Sequence, residues 1–274
     1  MTVSDLPCLA GGPERPSTGR IRQPYAPGIP LPDHLQPFVL PVDAVTLDRR
    51  GALDVYLPEA AGQSPAIVFV HGGPVPAELR PTPRDWPVYR GYGSLAAARG
   101  MVGVTVDHRL HDLIAYPAAA DVAAAVRTVR DLPQVDPDRI AIWFFSGGGL
   151  LLADWLRTPP PWLRCVAATY PLLMPPPGWT VDPAFRPVEA VGTGAPGLKI
   201  VLTRAGRERP EVAQGVEAFV VAARGAGTDL TIVDAPNGRH GFDMLDHTDE
   251  SRAAVRQAFD VVAGTTQQIR GPGV

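Results

Sequence analysis

Cysteine is nearly absent. Cys8 sits in an irregular amino-terminal stretch and Cys165 in an apolar segment. Two such thiols support no disulfide framework, and a buried free thiol is the default reading. The chain has no CxxC pair and no clustered His/Cys pattern, so no metal is expected. An excess of one charge is missing too. The formal net charge is −3, acids and bases are interspersed, and arginine greatly outnumbers lysine without forming a basic stripe. Nothing here could track a phosphate backbone, and no nucleic-acid partner is expected. No apolar run approaches the ~18 residues that a membrane helix needs. The first residues, Met-Thr-Val-Ser-Asp-Leu, lack a basic start followed by an apolar stretch. A soluble, cytoplasmic protein with no membrane partner is the expectation, with oligomeric state left open.

Proline, in contrast, is abundant, with 32 residues concentrated at 7–41, 74–87, 158–161 and 171–187. These stretches read as long connections. At 274 residues and 45% hydrophobic content, the chain can form one large domain that hides about three-quarters of its unfolded surface. The expected organisation is an irregular arm over 1–40, a single domain over 41–265 and a flexible tail over 266–274.

Val45–Asp48 and Leu53–Leu57 flank Arg49-Arg50-Gly51 and read as an antiparallel hairpin. The pattern then changes. Ala66–Val70, Val102–Val106, Ile140–Trp143, Cys165–Ala168, Lys199–Leu202 and Leu230–Val233 are short, nearly continuous apolar runs, as expected of strands buried on both faces. Helical spacing appears over Tyr92–Arg99, Ala118–Leu132, Gly148–Arg157, Glu211–Arg224 and Ser251–Ala263. Strands alternating with helices predict an α/β fold, with a mostly parallel sheet and helices on both faces. Ligands bind such sheets beyond the carboxyl ends of the strands. The long loops at 74–90 and 171–197 emerge at that edge and read as lids or pocket walls.

Phe144-Phe145-Ser146-Gly147-Gly148 places one serine where a strand turns into a helix. A tight turn there pushes the hydroxyl out of the backbone envelope. Around it stand His71-Gly72-Gly73 after the third strand, Asp107-His108-Arg109-Leu110 after the fourth, Asp136-Pro137-Asp138-Arg139 before the fifth, and His240-Gly241-Phe242-Asp243 near the end. In their order and spacing, over roughly residues 45–265, these segments resemble the α/β-hydrolase superfamily, particularly its esterase and acyl-peptidase branches. The resemblance implies a mostly parallel central sheet with an antiparallel amino-terminal hairpin and proline-rich lid loops.

It also implies a serine hydrolase that uses no cofactor. Ser146 would be the nucleophile and His240 the base, with a carboxylate fixing the imidazole tautomer. Glu208, in Ala205-Gly206-Arg207-Glu208, occupies the position matching the family's acid, and Asp234 at the end of the next strand is the substitute. Backbone N–H groups of Gly73 and Gly147 would form the oxyanion hole, and Pro74 can donate no third amide. His71 would brace that loop. His34, His108, His111 and His247 read as surface or structural residues, and Asp107 as a carboxylate holding loops through nearby amides or Arg109. Phe144 stands where the family commonly has glycine; either a small neighbour accommodates it or the corner is distorted.

Trp86, Tyr89, Phe145 and Trp179 are the candidate substrate-binding residues, with Leu172, Leu173 and Met174 beside them. This largely apolar set favours a small or medium apolar ester or lactone and offers a highly charged substrate no obvious partner. A thioesterase, peptidase or biosynthetic acyltransferase or cyclase would use the same groups, and a distorted corner would leave a non-catalytic ligand-binding homologue.

Overall fold

The computed structural model describes residues 30–268 except 113, 177, 195 and 196. Cys8 and most of the expected arm lie outside these residues. An eight-stranded sheet organises the rest: β1 Leu47–Arg50, β2 Leu53–Tyr56, β3 Ser64–Val70, β4 Val102–Val106, β5 Val135–Phe145, β6 Leu163–Thr169, β7 Lys199–Arg207 and β8 Leu230–Arg239. Their spatial order is β1-β2-β4-β3-β5-β6-β7-β8. The β1/β2 and β2/β4 pairs are antiparallel and all the others parallel. The helices are α1 Pro87–Ala98, α2 Tyr116–Arg130, α3 Leu152–Arg157, α4 Pro187–Ala190, α5 Pro210–Gly225, α6 Phe242–Leu245 and α7 Asp249–Gln267.

Every residue of β3 and of β4 is buried, as continuous apolar runs require. Alternation along β3 distributes its side chains to two cores. Ile67 and Phe69 pack with Tyr92 of α1 and Val255 and Phe259 of α7. Ala66, Val68 and Val70 pack with Val122 of α2, Leu152 of α3 and Phe219 of α5 on the other face.

Several boundaries differ from the sequence reading for identifiable reasons. Arg49 and Arg50 lie in β1 and not in the hairpin turn. Arg49 stands opposite Asp54, and its guanidinium holds both oxygens of that buried carboxylate at 2.7 Å. Helix α1 starts earlier than expected, at Pro87, because a proline at the first helical position loses no hydrogen bond. The segment after Ser146 runs as a tight 3-10 turn to Leu151 before α3 begins. Two domain limits also shift. Phe38, Val39 and Leu40, assigned to the arm, are buried with the α1/α7 core, and Thr266, assigned to the tail, is buried within α7. In the second long loop Leu173, Val181 and Phe185 are buried, so much of that loop packs as core.

Strands β7 and β8 run on at their carboxyl ends. Their apolar runs end at Leu202 and Val233, yet pairing continues to Arg207↔Arg239, with a register shift between Ala205 and Arg207.

Phe144 is fully buried between Val70 of β3 and Ala168 of β6. The small neighbour is therefore Ala168, and the corner keeps its shape. Phe144→Ala is expected to lower stability by about 3–5 kcal/mol, the range for emptying a buried phenylalanine site, as read from urea denaturation midpoints.

Candidate active site

Ser146 directly follows β5 at φ +49°, a left-handed backbone that side-chain-bearing residues seldom adopt. The preceding Phe145 is still extended, at φ −123° and ψ 139°, so the chain reverses at the serine itself. Two glycines make room for this corner. A Cβ on Gly72 would stand 2.8 Å from the Ser146 Cβ, and one on Gly147 would collide with the Gly73 carbonyl oxygen. The His71–Gly73 loop thus lies directly against the serine corner.

The Ser146 Oγ lies 2.7 Å from the His240 Nε2. On the other side of the ring, His240 Nδ1 lies 2.5 Å from Glu208 Oε2. A carboxylate only accepts, so Nδ1 carries the proton and Nε2 is left to accept from the serine hydroxyl. The other Glu208 oxygen accepts the Arg209 N–H at 2.8 Å, and the Glu208 side chain is 4% exposed. Asp234, the substitute acid, is engaged elsewhere. Arg204 Nε binds it at 2.7 Å, and its side chain is 52% exposed.

Ser146 and His240 open into a cavity of about 280 Å³ that Gly73, Gly147, Leu172, Trp179, Arg209 and Glu211 help to line. A larger open groove of about 610 Å³ is lined by Glu208 and Tyr170 but by neither Ser146 nor His240.

Of the four aromatic residues expected to bind substrate, Trp179 lines the cavity. The other three belong to the core, which corrects the sequence reading. Phe145 is fully buried, edge-on to Tyr89 with ring centroids 5.3 Å apart. Trp86 is buried and donates its indole N–H to the Pro81 carbonyl. Tyr89 is buried, and its hydroxyl accepts the Gly72 N–H at 3.1 Å, so it braces the glycine loop. Alternation along β5 is the reason for Phe145: with Ser146 leaving the strand, Phe145 falls on the α1/α7 face. The expectation that charge would find no partner is corrected as well, because Arg209 and Glu211 stand on the cavity wall. Their signal was position: they flank α5's first residue, immediately after Glu208.

His71 braces its loop, with Nδ1 on the Gly72 carbonyl at 2.5 Å. It stacks on His108 at 3.7 Å, with the rings 7° from parallel. His108 is buried and not at the surface, and its Nε2–H donates to the His71 carbonyl at 3.1 Å. Burial pushes both imidazoles below their ordinary pKa, His71 to about 4, so the pair is neutral. Asp107 is held by Arg84, through the backbone N–H at 3.1 Å and Nε at 3.0 Å. Arg109 pairs with Asp121 instead.

Sequence reasoning assigned no role to Asp243 or Tyr170. Asp243 is fully buried and accepts hydroxyl hydrogen bonds from Tyr170 at 2.7 Å and Tyr92 at 3.1 Å. Burial pushes its carboxyl up to about 6. The Tyr170 ring lies 4.8 Å from that of His240. Among the described residues no group of three His, Cys, Asp or Glu is placed to hold a metal ion, and no helix is long and apolar enough to cross a membrane.

The architecture and the serine corner at the carboxyl edge define an α/β-hydrolase fold, and comparison with known proteins agrees. The BD-FAE family model matches residues 53–154. Brefeldin A esterase, a bacterial homologue of human hormone-sensitive lipase, superposes with a TM-score of 0.63 at 21% identity, over 78% of this chain and 72% of that one. Esterase 2 of the planctomycete Thermogutta terrifontis, seen with propionate bound, gives 0.61 at 22% identity, over 88% and 97%. A single-site mutant of the esterase rPPE gives 0.67 at 20% identity, over 85% and 86%. No curated protein matches the chain.

Two outcomes follow from this geometry. Tyr89→Phe leaves the buried Gly72 N–H without an acceptor and is expected to cost about 1–3 kcal/mol in urea unfolding. Acidification should also destabilise the protein. The unfolded chain protonates its histidines near pH 6.5, while folded His71 resists down to about 4. Stability contributed by the His71–His108 pair is therefore present above pH 6.5 and lost as pH falls, by up to about 1.4 kcal/mol per pH unit for each histidine. Asp243, whose folded pKa is raised, offsets about one proton's worth below pH 6. Unfolding midpoints at pH 7 and pH 5 should differ accordingly, the lower pH being less stable.

Proposed function

We propose that the protein hydrolyses carboxylic esters of small or medium acyl groups through a serine-bound acyl intermediate. The observation that carries this reading is the continuous relay from Ser146 Oγ to His240 at 2.7 Å and from His240 to Glu208 at 2.5 Å, opening into a cavity. His240 takes the serine proton as Oγ attacks the ester carbonyl, and Glu208 stabilises the imidazolium that forms. The amides of Gly73 and Gly147 receive the developing oxyanion. His240 then protonates the leaving alkoxide, and water discharges the acyl group by the same sequence in reverse. No step needs a cofactor.

Cavity size supports a short substrate, since about 280 Å³ lies at the lower end of small-molecule sites. Leu172, Pro176 and Val212 give it apolar walls, in keeping with a propionyl-sized group such as the one bound to the Thermogutta esterase. That esterase is also phosphorylated by paraoxon, which supplies a probe.

Wild-type protein is expected to be labelled by paraoxon or a fluorophosphonate and to turn over p-nitrophenyl propionate, and Ser146→Ala to do neither. Glu208→Gln should lower kcat by roughly 10³–10⁴-fold, as when a triad acid loses its charge, whereas Asp234→Asn should stay within about threefold, the scale of an exposed ion pair. A folded wild-type protein that never labels, or loss of turnover on changing Asp234 alone, would refute the assignment. An ester, thioester and amide panel of increasing acyl length reads the substrate class directly.

A further inference from the structure

Asp243 is a fully buried carboxyl that the proposed reaction does not use. It gathers three elements around the base. Tyr92 comes from α1, the helix whose Tyr89 braces Gly72. Tyr170 comes from the end of β6, where φ of +38° turns its ring toward the site. Asp243 itself lies in the first turn of α6, just past His240 and the left-handed Gly241. Its carbonyl is tied as well, accepting the Val39 N–H at 2.9 Å, and the Val39 carbonyl takes Arg252 Nε of α7 at 3.1 Å.

Such a site is costly to build. A buried carboxylate without a cationic partner must be compensated by hydrogen bonds. Here two hydroxyl donors favour the charged form, and so does the electrostatic attraction of a protonated His240. A leucine or phenylalanine would fill the same space without the desolvation cost. What a carboxylate adds is negative potential beside the imidazole, delivered through the Tyr170 ring, whose centroid is within the distance at which aromatic rings attract cations.

Taking the ester-hydrolase reading as its base, we infer that Asp243, held by Tyr92 and Tyr170, is a positioning residue that stabilises the His240 imidazolium from the side opposite the substrate. Glu208 supplies the direct hydrogen bond to the ring, and Asp243 supplies a second, bridged negative charge. The titratable groups facing Asp243 are Tyr89 and Tyr92 of α1, Tyr170 after β6, and His240 on its own loop. Burial raises the phenols, so they stay neutral while Asp243 carries the cluster's charge.

The consequence is a particular pH signature. On the acid limb of kcat/KM the imidazole is protonated in both the free enzyme and the transition state, so a neighbouring charge cancels. On the plateau it is charged only in the transition state, and the charge counts. Asp243→Asn keeps the shape and can still hydrogen-bond both tyrosines. It should overlay wild type on the acid limb and fall roughly threefold on the plateau, with KM unchanged, which moves the midpoint down by about half a pH unit. Tyr92→Phe takes away one donor and keeps the carboxyl protonated to higher pH, so it should reach the wild-type plateau later. These opposite displacements distinguish an electrostatic role from damaged packing. An equal loss at every pH in both variants, or no change in either, overturns the inference. Paraoxon labelling of wild type, measured in parallel, separates the two levels: no wild-type labelling defeats the ester-hydrolase reading, while normal labelling with unaltered profiles defeats only the role of Asp243.

Discussion

The site depends on the pairing of β7 with β8 beyond their apolar cores. Arg207 and Arg239 are the last partners in that ladder, and the next residue on each strand is Glu208 and His240. Two parallel strands in register present their following residues side by side, so backbone hydrogen bonds bring Glu208 and His240 together before any side chain is chosen. The register shift between Ala205 and Arg207 belongs to this device: without it, a residue other than Glu208 would face His240. Asp234 is excluded for the same reason, because it sits opposite Arg204 within the ladder and its carboxylate is spent there.

Ser146 approaches from β5, two strands away from β7 across β6, through a different constraint. Strand β5 delivers it to the edge, and its left-handed φ turns the hydroxyl away from the sheet toward His240. The strain is held by contacts on both sides: Phe144 is buried between Val70 and Ala168, and Gly147 lies against the Gly73 carbonyl where no side chain fits. A bulky residue two before Ser146 is tolerated because the space is found across the sheet, at Ala168, and not within the turn.

How much of this was legible in the sequence varied with the kind of information each part requires. Continuous apolar runs located the six parallel strands, and the spaced motifs singled out Ser146, Glu208 and His240, which the fold brings within hydrogen-bonding distance of one another, because chain order and local composition carry those features. Pocket walls were not legible. Phe145, Trp86 and Tyr89 looked like substrate contacts because they are aromatic and near the motifs in sequence, yet strand alternation and the direction of α1 turn them into the core. Arg209 and Glu211 carried no sequence signal beyond their position, and the start of α5 carries them to the cavity wall. Asp243 was visible only as part of a motif, since its partners Tyr92 and Tyr170 lie 151 and 73 residues away and no local pattern links them.

The two buried polar clusters beside the triad differ in the charge that burial permits. Next to the glycine loop, His71 and His108 are neutral, since each protonated ring would face the other at 3.7 Å with desolvation added. They therefore hold the loop by shape and hydrogen bonding and bring no cation near His240 that would oppose its protonation. Beside His240, desolvation resists ionisation of Asp243 but two hydroxyls and the imidazole favour it, so the packing supports a negative charge next to the imidazole. Under the proposed reaction, neutral rings would lie on the side of the oxyanion and a carboxyl on the side of the imidazolium, giving the pocket an electrostatic direction. That direction comes from tertiary packing of α1, β6 and the His240 loop, which explains why side chains far apart in sequence sit within hydrogen-bonding reach around one ring.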